Sequence, residues 1–142
     1  MTEIQQLYPR LVVDGADDAI AFYARAFGAE LVERYTDSAG HVVHALLRAG
    51  PAVWAVKDAD GHDPAPGSGG APVILALYVA DADAVAAAIV DGGGTVVFAV
   101  DNHEYGERGG RLADPFGHVW MIATRTEDLT PEEIQARTVA NH

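Results

Sequence analysis

Apolar residues along this chain fall into two sets that echo each other. The runs Leu11-Val12-Val13 and Leu77-Tyr78-Val79 end 66 residues apart, as do Gly28 and Gly94, each closing an alanine-rich stretch. Val53-Trp54 and Val119-Trp120 repeat the same offset in later apolar runs. Three landmarks at one spacing predict two copies of one module. Two copies are too few for a solenoid, so the units are expected to pair, with a groove between them that suits a small molecule.

Within the first copy, residues 8–13 read as a strand ending in the turn Asp14-Gly15-Ala16. Ile20, Phe22, Tyr23 and Phe27 recur at helical spacing, with Asp17 as the expected cap and Gly28 as the stop. Strands are expected at 30–36, 41–48 and 52–56, separated by Asp37-Ser38-Ala39-Gly40 and by Gly50-Pro51. The order is β-α-β-β-β. Residues 58–71, rich in Gly and Pro and without periodicity, read as a linker. The second copy predicts a strand at 73–79, a helix at 83–91, and strands at 95–100, 110–113 and 118–124. Asp114-Pro115-Phe116-Gly117 suits a type I turn. The modules are thus expected at about 7–57 and 72–125, followed by a helix at about 130–139. That helix opens on Thr130-Pro131-Glu132-Glu133, which combines a cap, a proline at the first helical position and a capping-box acid.

Composition narrows the function classes. With 142 residues, one domain or two half-domains sharing a core is expected, large enough to bury roughly 70% of its unfolded surface. The absence of cysteine excludes disulfides, thiolate metal sites and thiol nucleophiles, and fits a cytoplasmic protein. The opening MTEIQQLYPR has no basic-then-apolar signal pattern, and no apolar run approaches a membrane span. A net charge of −12, with Lys57 the only lysine, argues against nucleic-acid and anionic-membrane partners. An acidic surface is compatible with a cationic ligand, although solubility explains it equally.

The segments DDAIAFYARAFGAELV (17–32), VVHALLRAG (42–50), LYVADADAV (77–85), YGERGGRLADPFGHVW (105–120) and EDLTPEEIQAR (127–137) resemble the vicinal oxygen chelate superfamily. That superfamily includes glyoxalase I, extradiol dioxygenases, fosfomycin-resistance transferases and bleomycin-resistance proteins. The DPFGH turn, the tryptophan after it and the EDLTPEE tail are similar to the PhnB-like branch. The resemblance implies an α+β fold of two paired β-α-β-β-β modules whose curved mixed sheet surrounds a groove. It also implies a divalent metal held at four strand positions, which fall here near Leu7, on His44, near Ile74 and on Met121. Leucine, isoleucine and methionine do not bind such an ion, and the HAEL that often surrounds the second position is HALL here, with Leu46 replacing the acid. The expectation is therefore no metal site and no cofactor.

The candidate ligand-binding residues are His44, Tyr78, Leu46, Arg48, Tyr105 and Met121; no catalytic residue is assigned. His44 shares a strand face with Leu46 and Arg48, and suits a hydrogen-bonding or acid–base role better than ligation. Tyr78 has the same groove-facing parity. Trp54 and Trp120 have the opposite parity and are expected to pack on the helices. The segment 101–110, DNHEYGERGG, reads as a polar loop carrying His103, Glu104, Tyr105, Glu107 and Arg108 over the groove. His118 is expected to fix its turn. Arg111 either meets an anionic ligand or pairs with one of the many carboxylates. Asp58, Asp60 and Asp63 lack the helices and the twelfth-position acid of a calcium loop.

Two functions remain. In the first, the groove holds a small organic ligand without metal, as the resemblance to bleomycin-resistance proteins implies. In the second, a metal-dependent lyase or dioxygenase acts on a substrate with vicinal oxygens, drawing further ligands from His103, Glu104 or a second subunit. A homodimer is the expected assembly under either.

Overall fold

The structure is a computed structural model that describes residues 5–67 and 73–141. Linker residues 68–71, the opening residue 72 of the second module and the first four residues of the chain lie outside the described residues. The chain divides into two compact units, residues 1–70 and 71–142.

The first unit runs β1 (Arg10–Val13), α1 (Ala16–Phe27), β2 (Glu30–Thr36), β3 (Val42–Ala49) and β4 (Ala52–Asp58). Its four strands lie in the order β1-β4-β3-β2, with β1 parallel to β4 and the other pairs antiparallel. The second unit runs β5 (Ile74–Tyr78), α2 (Ala82–Asp91), β6 (Thr95–His103), β7 (Glu107–Ala113) and β8 (Val119–Arg125), ordered β5-β8-β7-β6 with the same directions. It ends in α3 (Pro131–Asn141). Each module is a β-α-β-β-β unit with one mixed sheet, the α+β arrangement that the repeat predicted.

Helices α1 and α2 each cover one face of their sheet. On α1, Ala19, Phe22, Tyr23 and Ala26 are buried. Tyr23 and Phe27 meet the Trp54 ring edge-on, with centroids 5.8 and 6.2 Å away. Burying such aromatic side chains contributes about 1.5–3 kcal/mol each. Gly28 ends α1 at φ +68°, donating its amide to the Ala24 carbonyl at 3.1 Å, a conformation other residues adopt only with strain. In β8, buried Trp120 and Ile122 face the side where Thr124 reaches α2. Both tryptophans are therefore core residues, as their parity predicted.

Two expectations are corrected. Asp17 does not cap α1, because Gly15 occupies the cap position and supplies no side chain. The amide of Ala16 donates instead to Asp58 Oδ1 at 2.7 Å, while Asp58 Oδ2 accepts from the Val42 amide at 2.7 Å. Asp17 forms a two-pronged ion pair with Arg34 across to β2, at 2.9 Å for each bond. The segment 101–110 is not a free loop either. Most of it continues β6 and β7, and only Glu104, Tyr105 and Gly106 make the turn. Polar, glycine-rich composition hides a strand whose packing requires the glycines. A side chain on Gly109 would come within 2.7 Å of the Ile122 carbonyl, and one on Gly110 within 2.7 Å of the Phe98 carbonyl.

Candidate functional site

The open face of each sheet, away from its helix, carries the available chemistry. In β3 the burial pattern turns Ala45 and Leu47 inward, leaving His44, Leu46 and Arg48 on the open face. His44 Nε2 lies 3.8 Å from Glu33 Oε2, and its ring stacks on Tyr35 with centroids 6.0 Å apart. That separation exceeds a hydrogen bond and becomes an ion pair only when the histidine is protonated. Nearby, Lys57 is almost fully buried and its ammonium is held by Asp60 at 2.8 Å and by Asp63. These bonds hold the Asp60 carboxyl far below the usual carboxylate range and raise the lysine. The three aspartates of the 58–63 segment are thus structural: one serves two amides and two neutralise a lysine.

The second sheet is richer. On its open face, β7 presents Glu107, Gly109 and Arg111, which pair with Arg125, Ala123 and Met121 on β8. Across on β6, Phe98 lies opposite Arg111 and His103 opposite Glu107. The Arg111 guanidinium rests over the Phe98 ring, 5.4 Å from its centroid. His103 and Tyr105 stack almost parallel, 2° apart with centroids at 5.1 Å. His103 Nε2 lies 2.9 Å from the Gly109 carbonyl. A carbonyl only accepts, so in this contact Nε2 is the donor. Phe98, His103, Tyr105, Glu107, Arg111 and Met121 surround a hollow of about 120 Å³ with Gly109, Gly110 and Ala123.

A second hollow, of about 360 Å³, adjoins it and shares Tyr105 and Glu107. Here the Tyr78 hydroxyl donates to Glu107 Oε2 at 2.9 Å, and the Arg125 guanidinium stands 4.6 Å from the Tyr78 ring centre. Burial, reinforced by the Glu107 carboxylate, pushes the Tyr78 phenol up from its ordinary value. Tyr105 is raised by the same cause, with Glu107 and Glu104 adding to it. Both phenols therefore stay protonated at neutral pH and can donate. The far wall is Leu129 and Ile134, brought in by α3 and the segment before it. The capping box predicted for α3 forms, with the Glu133 amide donating to Thr130 Oγ1 at 3.2 Å and Glu133 Oε1 accepting from the Thr130 amide at 3.3 Å.

The structure thus gathers Tyr78, Tyr105 and Met121 around two adjoining hollows of the second module, and His44, Leu46 and Arg48 on one face of the first. Sequence reading did not single out Phe98, or the Tyr78–Glu107–Arg125 contact. The signal for Phe98 was a large aromatic among the valines of an edge strand, where it remains 61% exposed. Arg111 was left between two roles, and the structure removes one: among the described residues it forms no ion pair. His118 does help fix its turn, since its amide donates to Asp114 Oδ1 at 3.0 Å. Buried Asp114 also accepts from the Phe116 amide and from Trp120 Nε1, both at 2.9 Å.

A β-α-β-β-β module carried twice, each with an open sheet face, defines a recognisable class. Residues 5–122 match the Glyoxalase/Bleomycin resistance protein/Dioxygenase superfamily, and the chain belongs to that family. It is 38% identical over 136 residues to the uncharacterised protein Rv0887c of Mycobacterium tuberculosis, covering 92% of this chain and 80% of that protein. Among solved structures, PA1353 from Pseudomonas aeruginosa superposes with a TM-score of 0.72 at 22% identity, over 87% of this chain and all of that one. The PhnB protein from Bacillus cereus, described as a putative 3-demethylubiquinone-9 3-methyltransferase, gives 0.69 at 18%, over 84% of this chain and 99% of the other. Identities this low show the shared fold alone.

The metal that the resemblance implies does not fit the residues present. Three of its four positions hold Leu7, Ile74 and Met121, which offer no oxygen or nitrogen donor. Among the described residues, no three His, Asp or Glu side chains gather as a metal site would require. No helix among them is long and apolar enough to cross a membrane.

Proposed function

We propose that this protein binds a small organic molecule on the open face of its second sheet, and does so without the family's divalent metal. The observation that carries this reading is the hollow walled by Phe98, Met121 and the stacked His103–Tyr105 pair. Concave sites with mostly apolar or aromatic walls and a few convergent polar groups are what small ligands need. Arg111, Glu107 and the protonated Tyr105 supply those polar groups, and Tyr78 holds Glu107 from the adjoining hollow. His44, Leu46 and Arg48 stand on the first module's own sheet face, line neither hollow, and form the alternative place for a ligand.

The test pairs a ligand measurement with a metal measurement. A Tyr105→Ala, Met121→Ala double variant is expected to lose at least about tenfold in affinity for any fragment that the parent binds, because two walls of the hollow are removed. Unchanged affinity places the ligand elsewhere. Incubation with zinc, nickel, manganese or iron(II), followed by mass spectrometry, is expected to leave less than one ion per chain. A stoichiometric, tightly held ion revives the lyase or dioxygenase reading.

A further inference from the structure

Resting on that reading, we infer that the hollow selects an anion, and that Arg111 receives the carboxylate of a small aromatic acid. The acidity of the whole chain points the other way, towards a cationic ligand, so the local charge decides. Arg111 Nε is sealed from solvent with no hydrogen-bond partner among the described residues. No carboxylate lies within ion-pair distance of its guanidinium there. By contrast, Arg34, Arg108 and Arg137 each hold an aspartate or glutamate at 2.8–3.1 Å. Other arginines, Arg125 of the adjoining hollow included, also lack an ion pair, but among the described residues Arg111 is the one whose guanidinium has a nitrogen both buried and without a hydrogen-bond partner. The side chain is half-buried beside the Phe98 ring, where partial removal from water strengthens its pull on an anion.

The remaining groups restrict the shape of that anion. Glu107, the one carboxylate lining this hollow, is engaged by the Tyr78 hydroxyl and stands opposite Arg125 in the ladder. Its charge is therefore partly answered before a ligand arrives. Phe98 and the stacked His103–Tyr105 pair offer flat walls, Met121 a soft one, and Gly109 bare backbone. A volume of about 120 Å³ is of the order that takes a single six-membered ring, given that a cavity of roughly 150 Å³ takes benzene. A guanidinium and a carboxylate match as planar forks, which a sulfur, hydroxyl or amide terminus does not reproduce.

Benzoate, benzamide and benzylammonium form the test series, titrated into the ¹⁵N-labelled full chain and followed by amide shifts. Benzoate is expected to move the amides of Phe98, Gly109, Arg111 and Met121, and to bind at least about tenfold tighter than benzamide. Arg111→Gln should erase that preference, and Arg111→Lys should keep part of it. A dispersed spectrum checks that both variants fold, and the three-probe ranking on the parent decides the matter even if one does not. Equal binding of benzoate and benzamide, or tighter binding of benzylammonium, overturns the anion assignment while leaving the hollow as a binding site. If none of the three moves those amides, the binding reading falls with it.

Discussion

The two modules share one frame and furnish it differently. Leu46 stands opposite Ala55 as Arg111 stands opposite Met121, and positions 55 and 121 are one repeat apart. The same place on the open face thus holds an aliphatic side chain in one module and an unpaired cation in the other. Lys57, on the open side of β4, has Ala123 as its repeat counterpart and is locked by two aspartates. In the first module a buried cation is neutralised internally. In the second a half-buried guanidinium stands without an ion pair among the described residues. Helix starts differ as well: the Ala16 amide is received by the Asp58 carboxylate, and its counterpart at Ala82 by the Thr124 hydroxyl at 2.9 Å. The fold conserves where a partner is needed and lets its chemistry vary, so a repeat locates sites without saying what fills them.

The largest effect is expected where the second module depends on a single buried group. Asp114→Ala leaves two amides and the Trp120 indole without their acceptor, and should cost about 3 kcal/mol in urea unfolding. The first module has no such residue, because Gly50-Pro51 makes its corresponding turn. Each module contains one tryptophan, so Trp54→Phe and Trp120→Phe backgrounds let fluorescence report on them separately. Next, Asp58→Ala should cost about 2 kcal/mol and Thr124→Ala about 1 kcal/mol, since the carboxylate serves two amides and the hydroxyl one. Equal losses would remove the difference in helix starts.

Arg111→Leu makes the second module resemble the first at this position. It is expected to weaken benzoate binding at least about tenfold with no loss of stability, because the removed group is a buried donor without a partner. A large drop in stability would instead make Arg111 structural. The Lys57 pairs should appear in the acid limb of the stability profile. Asp60 titrates below its unfolded value, so its contribution is complete above the ordinary carboxylate range near pH 4 and is lost as pH falls towards the folded value. Lys57→Met should therefore destabilise most near neutral pH, and the difference from the parent should vanish in acid. The smallest effect belongs to Thr130→Ala, which should raise hydrogen exchange at the start of α3, at a cost of about 0.5 kcal/mol to that helix.

Much of this fold was legible because its signals are local or periodic. The Gly28 stop, the 30–36 strand, the Thr130 capping box and the inward parity of both tryptophans need only neighbouring residues. The Asp58 cap was not legible. Its acceptor lies 42 residues from the amide it serves, and local sequence favours Asp17. Strand β7 was read too short because Glu107, Arg108 and Gly109 carry little strand propensity, and pairing on both sides overrides it. A slip also hides inside the repeat. Leu46 and Arg111 correspond at 65 residues rather than 66, so a fixed offset matches Arg111 to Ala45, which faces the helix. Reading Arg111 as an open-face residue requires the ladder register, which no single sequence displays.

The central claim, that the second module's open face holds the ligand, is tested most directly by mapping benzoate-induced amide shifts across the whole ¹⁵N-labelled chain. The account predicts shifts confined to the neighbourhood of Phe98, Tyr105, Gly109, Arg111 and Met121. Shifts centred on His44, Leu46 and Arg48 would contradict it and move the site to the first module.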